Sequence, residues 1–230
     1  MSTTLAQKKK LLKLAIAHQK ADEFIKGSPQ NCSVGCSTQD AMRLEIIPEG
    51  HAYSHGTISE LWGVPLQVAH LFDAIFEGLT REDSRAWTPR WQRAIVENSE
   101  ADFSLVWPQF SVWCLLDEKH GVRQFAKGFP DCKAAIDRVA TLWQRVIAGE
   151  SVESLQAEFR GAAWAARAAR AAWAARAAAR AAWAAWAAGA AARAAWAAGA
   201  AWAARAARNA RQEFWSAAAD KLESLLREAK

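Results

Sequence analysis

Side chains in the first 26 positions line up on one stripe, with Leu11, Leu14, His18, Ala21 and Ile25 spaced three and four apart. That spacing predicts a helix from about Thr4 to Lys26, stopping at Gly27-Ser28-Pro29. His18 falls on the buried stripe, where it reads as a core histidine with a satisfied hydrogen bond rather than a catalytic group. Residues 28–56 lose the periodicity and are rich in Gly, Ser, Pro and Asn, so they read as irregular, with a short helix over Thr38 to Ile46. Thr57-Ile58-Ser59-Glu60 has capping-box spacing and opens a turn through Trp62. Pro65 starts a helix with Val68, Phe72, Ile75 and Leu79 on one face and Gly78 near its end. Thr88-Pro89 opens another to about Glu97, and a further one passes through Trp107-Pro108 to Leu116. Asp117 to Gly121 reads as a loop. Pro130 begins the clearest amphipathic run, Cys132, Ile136, Val139, Trp143 and Val146, closed by Gly149, and Ser151 is placed to cap the helix that follows. Periods of three and four dominate every long apolar segment, so the expected fold class is all-α.

Residues 162–210 are built almost wholly of Ala, Trp and Arg in triplets. Ala has the highest helix propensity, so this run is helical wherever packing permits. As one straight helix it would span about 74 Å at about 1.5 Å per residue. A compact chain of this size is near 45 Å across, by the usual scaling of about 17 Å for its radius of gyration. A helical hairpin turning between 189 and 193, near Gly189, resolves the conflict. Each half is then amphipathic by helical phase: Trp164, Trp183 and Trp186 stand opposite Arg167, Arg170, Arg176 and Arg180, with Trp173 misplaced. In the second half Trp196, Trp202 and Phe214 stand opposite Arg193, Arg205, Arg208 and Arg211, with Trp215 the exception. Leu222, Leu225 and Leu226 form a tail that ties the end down. The expected organisation is a helical body over 1–149, containing the irregular loop 28–56, and the hairpin with its tail over 150–230, packed together as one unit.

Charge sharpens this picture. The chain carries a net +5, but from Phe159 to Gln212 there are nine Arg and no Asp or Glu, while the remaining residues hold 20 basic against 24 acidic groups. A basic stretch attached to a mildly acidic body favours a polyanionic partner, whether nucleic acid, an acidic protein or the body itself. No uncharged run reaches membrane-spanning length, because Arg punctuates the Ala stretch. Lys13 interrupts the short apolar run after Lys8-Lys9-Lys10 and no cleavage site follows, which argues against a secretory signal. Four Cys without such a signal point to a reducing cytoplasm and free thiols.

Candidate chemistry lies in the first half of the chain. Cys32-x3-Cys36 and His51-x3-His55 approach the spacing of a two-Cys, two-His zinc site, since such pairs can converge on one tetrahedral ion. Gly50 and Gly56 flank the His pair and the intervening segment lacks finger hydrophobics, so buried thiols with surface histidines are the competing reading, and a Cys-His nucleophilic pair lacks an orienting third group. His70, Asp73 and Glu77, at i, i+3 and i+7, would share a helix face as acid and base, or as a solvated polar surface.

Four stretches together resemble uncharacterised proteins of phage and bacterial genomes: Asn31-Cys32-Ser33-Val34-Gly35-Cys36; Gly63-Val64-Pro65 with Asp73 to Leu79; Ala101-Asp102-Phe103-Ser104-Leu105-Val106-Trp107; and an Ala-rich end closing on Asp220-Lys221-Leu222. The resemblance spans most of the chain. It brings no activity or site residue, and implies only a phage or prophage origin, hence a small binding protein acting on host or defence machinery.

No phosphate-binding Gly loop, nucleophile elbow or paired metal-binding carboxylate motif occurs in the sequence. The expected function is a non-catalytic binding protein whose Arg167, Arg170, Arg176, Arg180, Arg193, Arg205, Arg208 and Arg211 meet nucleic acid or an acidic protein surface, Arg being able to bond phosphate and carboxylate in bidentate fashion. Two alternatives stand beside it: an Ala-rich scaffold with any site elsewhere, and an enzyme or ligand-binding protein using the Cys and His residues of the body.

Overall fold

The computed structural model describes residues 3–51, 53–126, 128–162 and 192–230, with side chains described from 210 onward in the last stretch. The fold is all-α, with no strand among the described residues. The chain divides into two compact units, residues 1–110 with 211–230, and residues 111–210. The expected break at 149 differs from this division, because the last turns of the chain belong with the N-terminal residues.

In the first unit, α1 (Leu5–Ala21) opens on a capping box at Thr4 and Gln7. It ends five residues earlier than expected, since Asp22 adopts the left-handed conformation (φ 58°) while its carboxylate pairs with Arg85. Helix α2 (Ser33–Arg43) overlaps the short helix expected over Thr38 to Ile46, beginning five residues earlier and ending three earlier. Its start is hidden in the sequence because the cap is a thiol: Cys32 Sγ accepts the Gly35 N–H at 3.4 Å. A Cβ at Gly35 would collide with the carbonyls of Pro29 and Gln30, so the loop can close on this helix only over glycine. Helix α3 (His55–Trp62) is capped by Ser54, not opened at Thr57, which instead supplies the N–H that Ser54 Oγ accepts. Gly63, at φ 69°, ends it. Helix α4 (Leu66–Gly78) follows Pro65.

Helix α5 (Arg81–Glu97) begins several residues before the expected Thr88-Pro89 start, because Thr80 caps it through the Asp83 N–H at 3.1 Å. Pro89 therefore lies inside the helix, where a lost backbone bond and ring crowding cost about 3 kcal/mol. Aromatic burial offsets this, at about 1.5–3 kcal/mol for each large side chain removed from water. Trp87 and Trp91 are fully buried. Trp91 stacks on Phe72 with ring centroids 4.1 Å apart and meets Trp62 edge-on at 5.0 Å, while Trp87 Nε1 donates to the Phe72 carbonyl at 2.9 Å. Lys8, buried on α1, donates to the Trp62 carbonyl at the end of α3 at 2.9 Å, and burial holds its pKa below the usual lysine value despite the opposing charge of Glu100.

The second unit contains the greater part of α6 (Val106–Leu116), a 3-10 turn at Val122–Ala126, α7 (Pro130–Ile147) and α8, described over residues 152–162. Ser151 caps α8 as expected, its Oγ accepting the Ser154 N–H at 3.1 Å. Leu142 and Val146 of α7 pack with Leu155 and Ala162 of α8, and the rings of Trp143 and Phe159 lie 4.7 Å apart. Arg145 ties the same pair through Glu150 and Glu158, at 2.7 and 2.8 Å.

The last helix, α9 (Ala192–Glu228), is continuous and passes through Gly199 without a break. The turn expected at 189–193 falls mostly outside the described residues. No helix among the described residues is long and apolar enough to cross a membrane.

Candidate functional site

The end of α9 is clamped along α5 in parallel. Arg90 bonds Asp220 at 2.8 Å and Glu223 at 2.8 Å through its Nε, and Arg227 pairs with Glu97 and Glu223. Asn98, just past the end of α5, donates through Nδ2 to the carbonyls of Leu226, Arg227 and Ala229, satisfying groups that a helix C-terminus leaves open. Between the charged rows, Ala218, Ala219, Leu222 and Leu226 are buried. Trp215, one turn earlier on that stripe, lies where a Cβ of Gly78 would stand. This explains why Trp215 falls on the arginine side by phase: here the stripe is a docking face.

One further turn toward the N-terminus, Arg211 takes the next position on the line and is exposed. At about 100° per residue, positions 193, 205 and 208 fall with 211 within an arc of about 120°, overlapping the phase of the buried stripe. A single line along α9 thus changes from apolar to cationic at the edge of the first unit. Glu213, the first carboxylate after the acid-free run, falls about 200° away from Arg211. Of the predicted arginines, Arg167, Arg170, Arg176 and Arg180 lie outside the described residues. Arg193, Arg205 and Arg208 sit on described helical backbone, their side chains outside the description.

The predicted Cys and His ligands are held by different contacts. Cys32 is the N-cap of α2 and Cys36 lies one turn on, both buried. Burial raises both thiol pKa values, that of Cys36 to about 12 with the Asp40 charge adding to the effect, so neither is a ready thiolate. His51 lines a small cavity of about 50 Å³ with Thr57, Glu60 and Leu61. His55 instead starts α3 and turns to α4, its Nε2 3.2 Å from Asp73 Oδ2 and its ring stacked on His70 with centroids 4.0 Å apart. Glu77, predicted on the same face, accepts the Gly27 N–H at 2.9 Å. Among the described residues no group of three or more His, Cys, Asp or Glu is placed to hold a metal ion. All four cysteines are free.

Two groupings are not foreseen from the sequence. His18 is bracketed by carboxylates, Glu23 at Nδ1 and Asp40 at Nε2, the latter at 2.9 Å. Burial opposes its charge, but the hydrogen bonds and charges of Glu23 and Asp40 outweigh burial and raise its pKa. Asp40 is raised as well, by burial first, with His18 working against the rise. The stripe places His18 inward, but its partners come from the next loop and helix. The second grouping is His55 with His70 and Asp73, which sequence spacing assigns to two different sets.

No family model matches the chain, and no curated protein or solved structure matches it either.

Proposed function

We propose that this is a non-catalytic binding protein whose Arg-rich helical stretch engages a polyanion, either nucleic acid or an acidic protein surface. The observation that carries the reading is the change along α9: the stripe that docks Trp215, Leu222 and Leu226 continues as arginine from Arg211, in a run of the sequence without carboxylates. Arg85, Arg90, Arg123 and Arg145 each pair with a carboxylate of their own unit. With the phage or prophage origin expected from the sequence, the proposal extends to a protein of the host cytoplasm acting on host or defence machinery.

The test is retention of the full chain on an immobilised polyanion as salt is raised, with and without Arg205→Glu and Arg208→Glu. Retention that falls steeply with salt, and weakens in the double variant, supports the proposal; no retention at low salt overturns it.

A second reading, a small-molecule or nucleotide site in the N-terminal body, is favoured by the meeting of His55, His70 and Asp73. Titration of the protein with ATP, followed through the histidine NMR signals, tests it: saturable shifts at His55 and His70 support the site, and unchanged signals reject it.

A further inference from the structure

We infer that the polyanion is double-stranded DNA, with the basic part of α9 seated in the major groove. This rests on the polyanion-binding reading above and commits it to one partner.

The distribution of carboxylates separates a groove from a protein surface. An acidic protein meets one side of a helix, and carboxylates on the far side are tolerated. The end of α9 shows that arrangement, with exposed Glu213 and Glu228 on the same helix as the buried stripe and away from it by helical phase. Helix α5 likewise mixes its arginines with Glu82, Asp83 and Glu97. From Ala192 to Gln212 of α9, by contrast, carboxylates are missing from every side of the helical phase, not from one face. A duplex groove presents phosphates on both walls, so it disfavours carboxylates across most of an inserted helix.

Dimensions agree. The major groove of B-form DNA is about 12 Å wide and admits an α-helix, whose diameter with side chains is about 10–12 Å. Residues 192–212 of α9 are mostly Ala, hence at the slim end of that range. They extend about 31 Å. Positions 193, 205, 208 and 211 centre on one side of the helix, and the two tryptophan positions, 196 and 202, centre about 180° away, so neither indole position lies on the arginine arc. The deep, narrow major groove of A-form RNA does not admit a helix in this way.

The test uses the full chain, with fluorescence anisotropy of a short mixed-sequence DNA duplex. Parallel arms use an RNA duplex of the same sequence and polyglutamate. Methyl green serves as a major-groove competitor and netropsin as a minor-groove competitor. The expected results are preference for the DNA duplex, displacement by methyl green but not netropsin, and a salt slope smaller by about 2 in the Arg205→Gln, Arg208→Gln variant, from about 0.9 per lost phosphate contact. The competition needs no variant, so it stands even if the substitutions perturb folding. Equal binding to DNA, RNA and polyglutamate, or insensitivity to methyl green, overturns the groove inference and leaves polyanion binding intact. Binding to none of the three overturns both.

Discussion

Trp215 fills the space beside Gly78 so closely that a single added methyl group on that glycine would overlap the indole ring. The contact joins the last turn of α4 to the point where α9 enters the first unit. Gly78→Ala is expected to destabilise by about 1–3 kcal/mol, the usual cost of overpacking. At about 2–4 °C per kcal/mol for a chain of this size, thermal melting should show a clear drop. Trp215→Leu should be worth less on the Gly78→Ala background than alone, and strictly additive effects in the double-mutant cycle would mean that the two residues do not share the space.

Arg90 sits between Asp220 and Glu223, its own side chain about one-third exposed and Glu223 more buried than Asp220. Arg90→Ala is expected to cost about 1–2 kcal/mol, above an ordinary surface pair because two carboxylates lose their partner together. Denaturant melts of Arg90→Ala, Glu223→Gln and the double variant measure it. A coupling of zero between them would show the pairing to be incidental.

The His18 cluster gives a pH dependence with a definite sign. A histidine whose folded pKa lies above its unfolded value adds stability that is complete below about pH 6.5 and lost as pH rises through the folded value. The raised Asp40 pKa acts in the same direction, its contribution being lost as pH rises through its own folded value. Wild type should therefore exceed His18→Gln in melting temperature by more at pH near 6 than at pH near 8. A difference that grows with pH would contradict the bracketed geometry.

Burial of the Cys36 thiol, pushed up to about 12, together with capping by Cys32, makes both sulfurs slow to alkylate in the native state. Iodoacetamide with mass mapping should label them only after denaturation. If Cys32, Cys36, His51 and His55 nevertheless rearrange around zinc, the native protein should contain the metal, chelation should lower the melting temperature, and Cys32→Ser should reproduce the loss. From the positions these residues take, the expected result is no change on chelation.

Features written in local spacing are legible in the sequence itself: the start of α1 at Thr4, the cap at Ser151, the stripe of α4, and an all-helical chain. Features that depend on a non-standard local signal are not. Cys32 is not among the usual capping residues, so the start of α2 is hidden, and Pro89 reads as a helix start although Thr80 has already begun α5. The remaining differences require tertiary packing. Spacing puts His55 with His51 and His70 with Glu77, whereas packing of α3 on α4 brings His55 to His70 and Asp73. Trp215 looks misplaced by phase only because its partner, Gly78, is far away in the chain.

The clamp between α5 and α9 also sets an order of events during synthesis. Arg90 and Asp220 are 130 residues apart, with the whole of residues 111–210 made between the two parts of the first unit. At roughly 5–20 residues per second, translation of that insert takes about 5–20 s. Throughout that interval Leu222 and Leu226 are not yet made, so the surface that receives them lacks its native cover. The first unit therefore closes last, from its far end, and a nascent chain stalled inside the Ala-rich stretch leaves that apolar surface open to chaperones or to other chains.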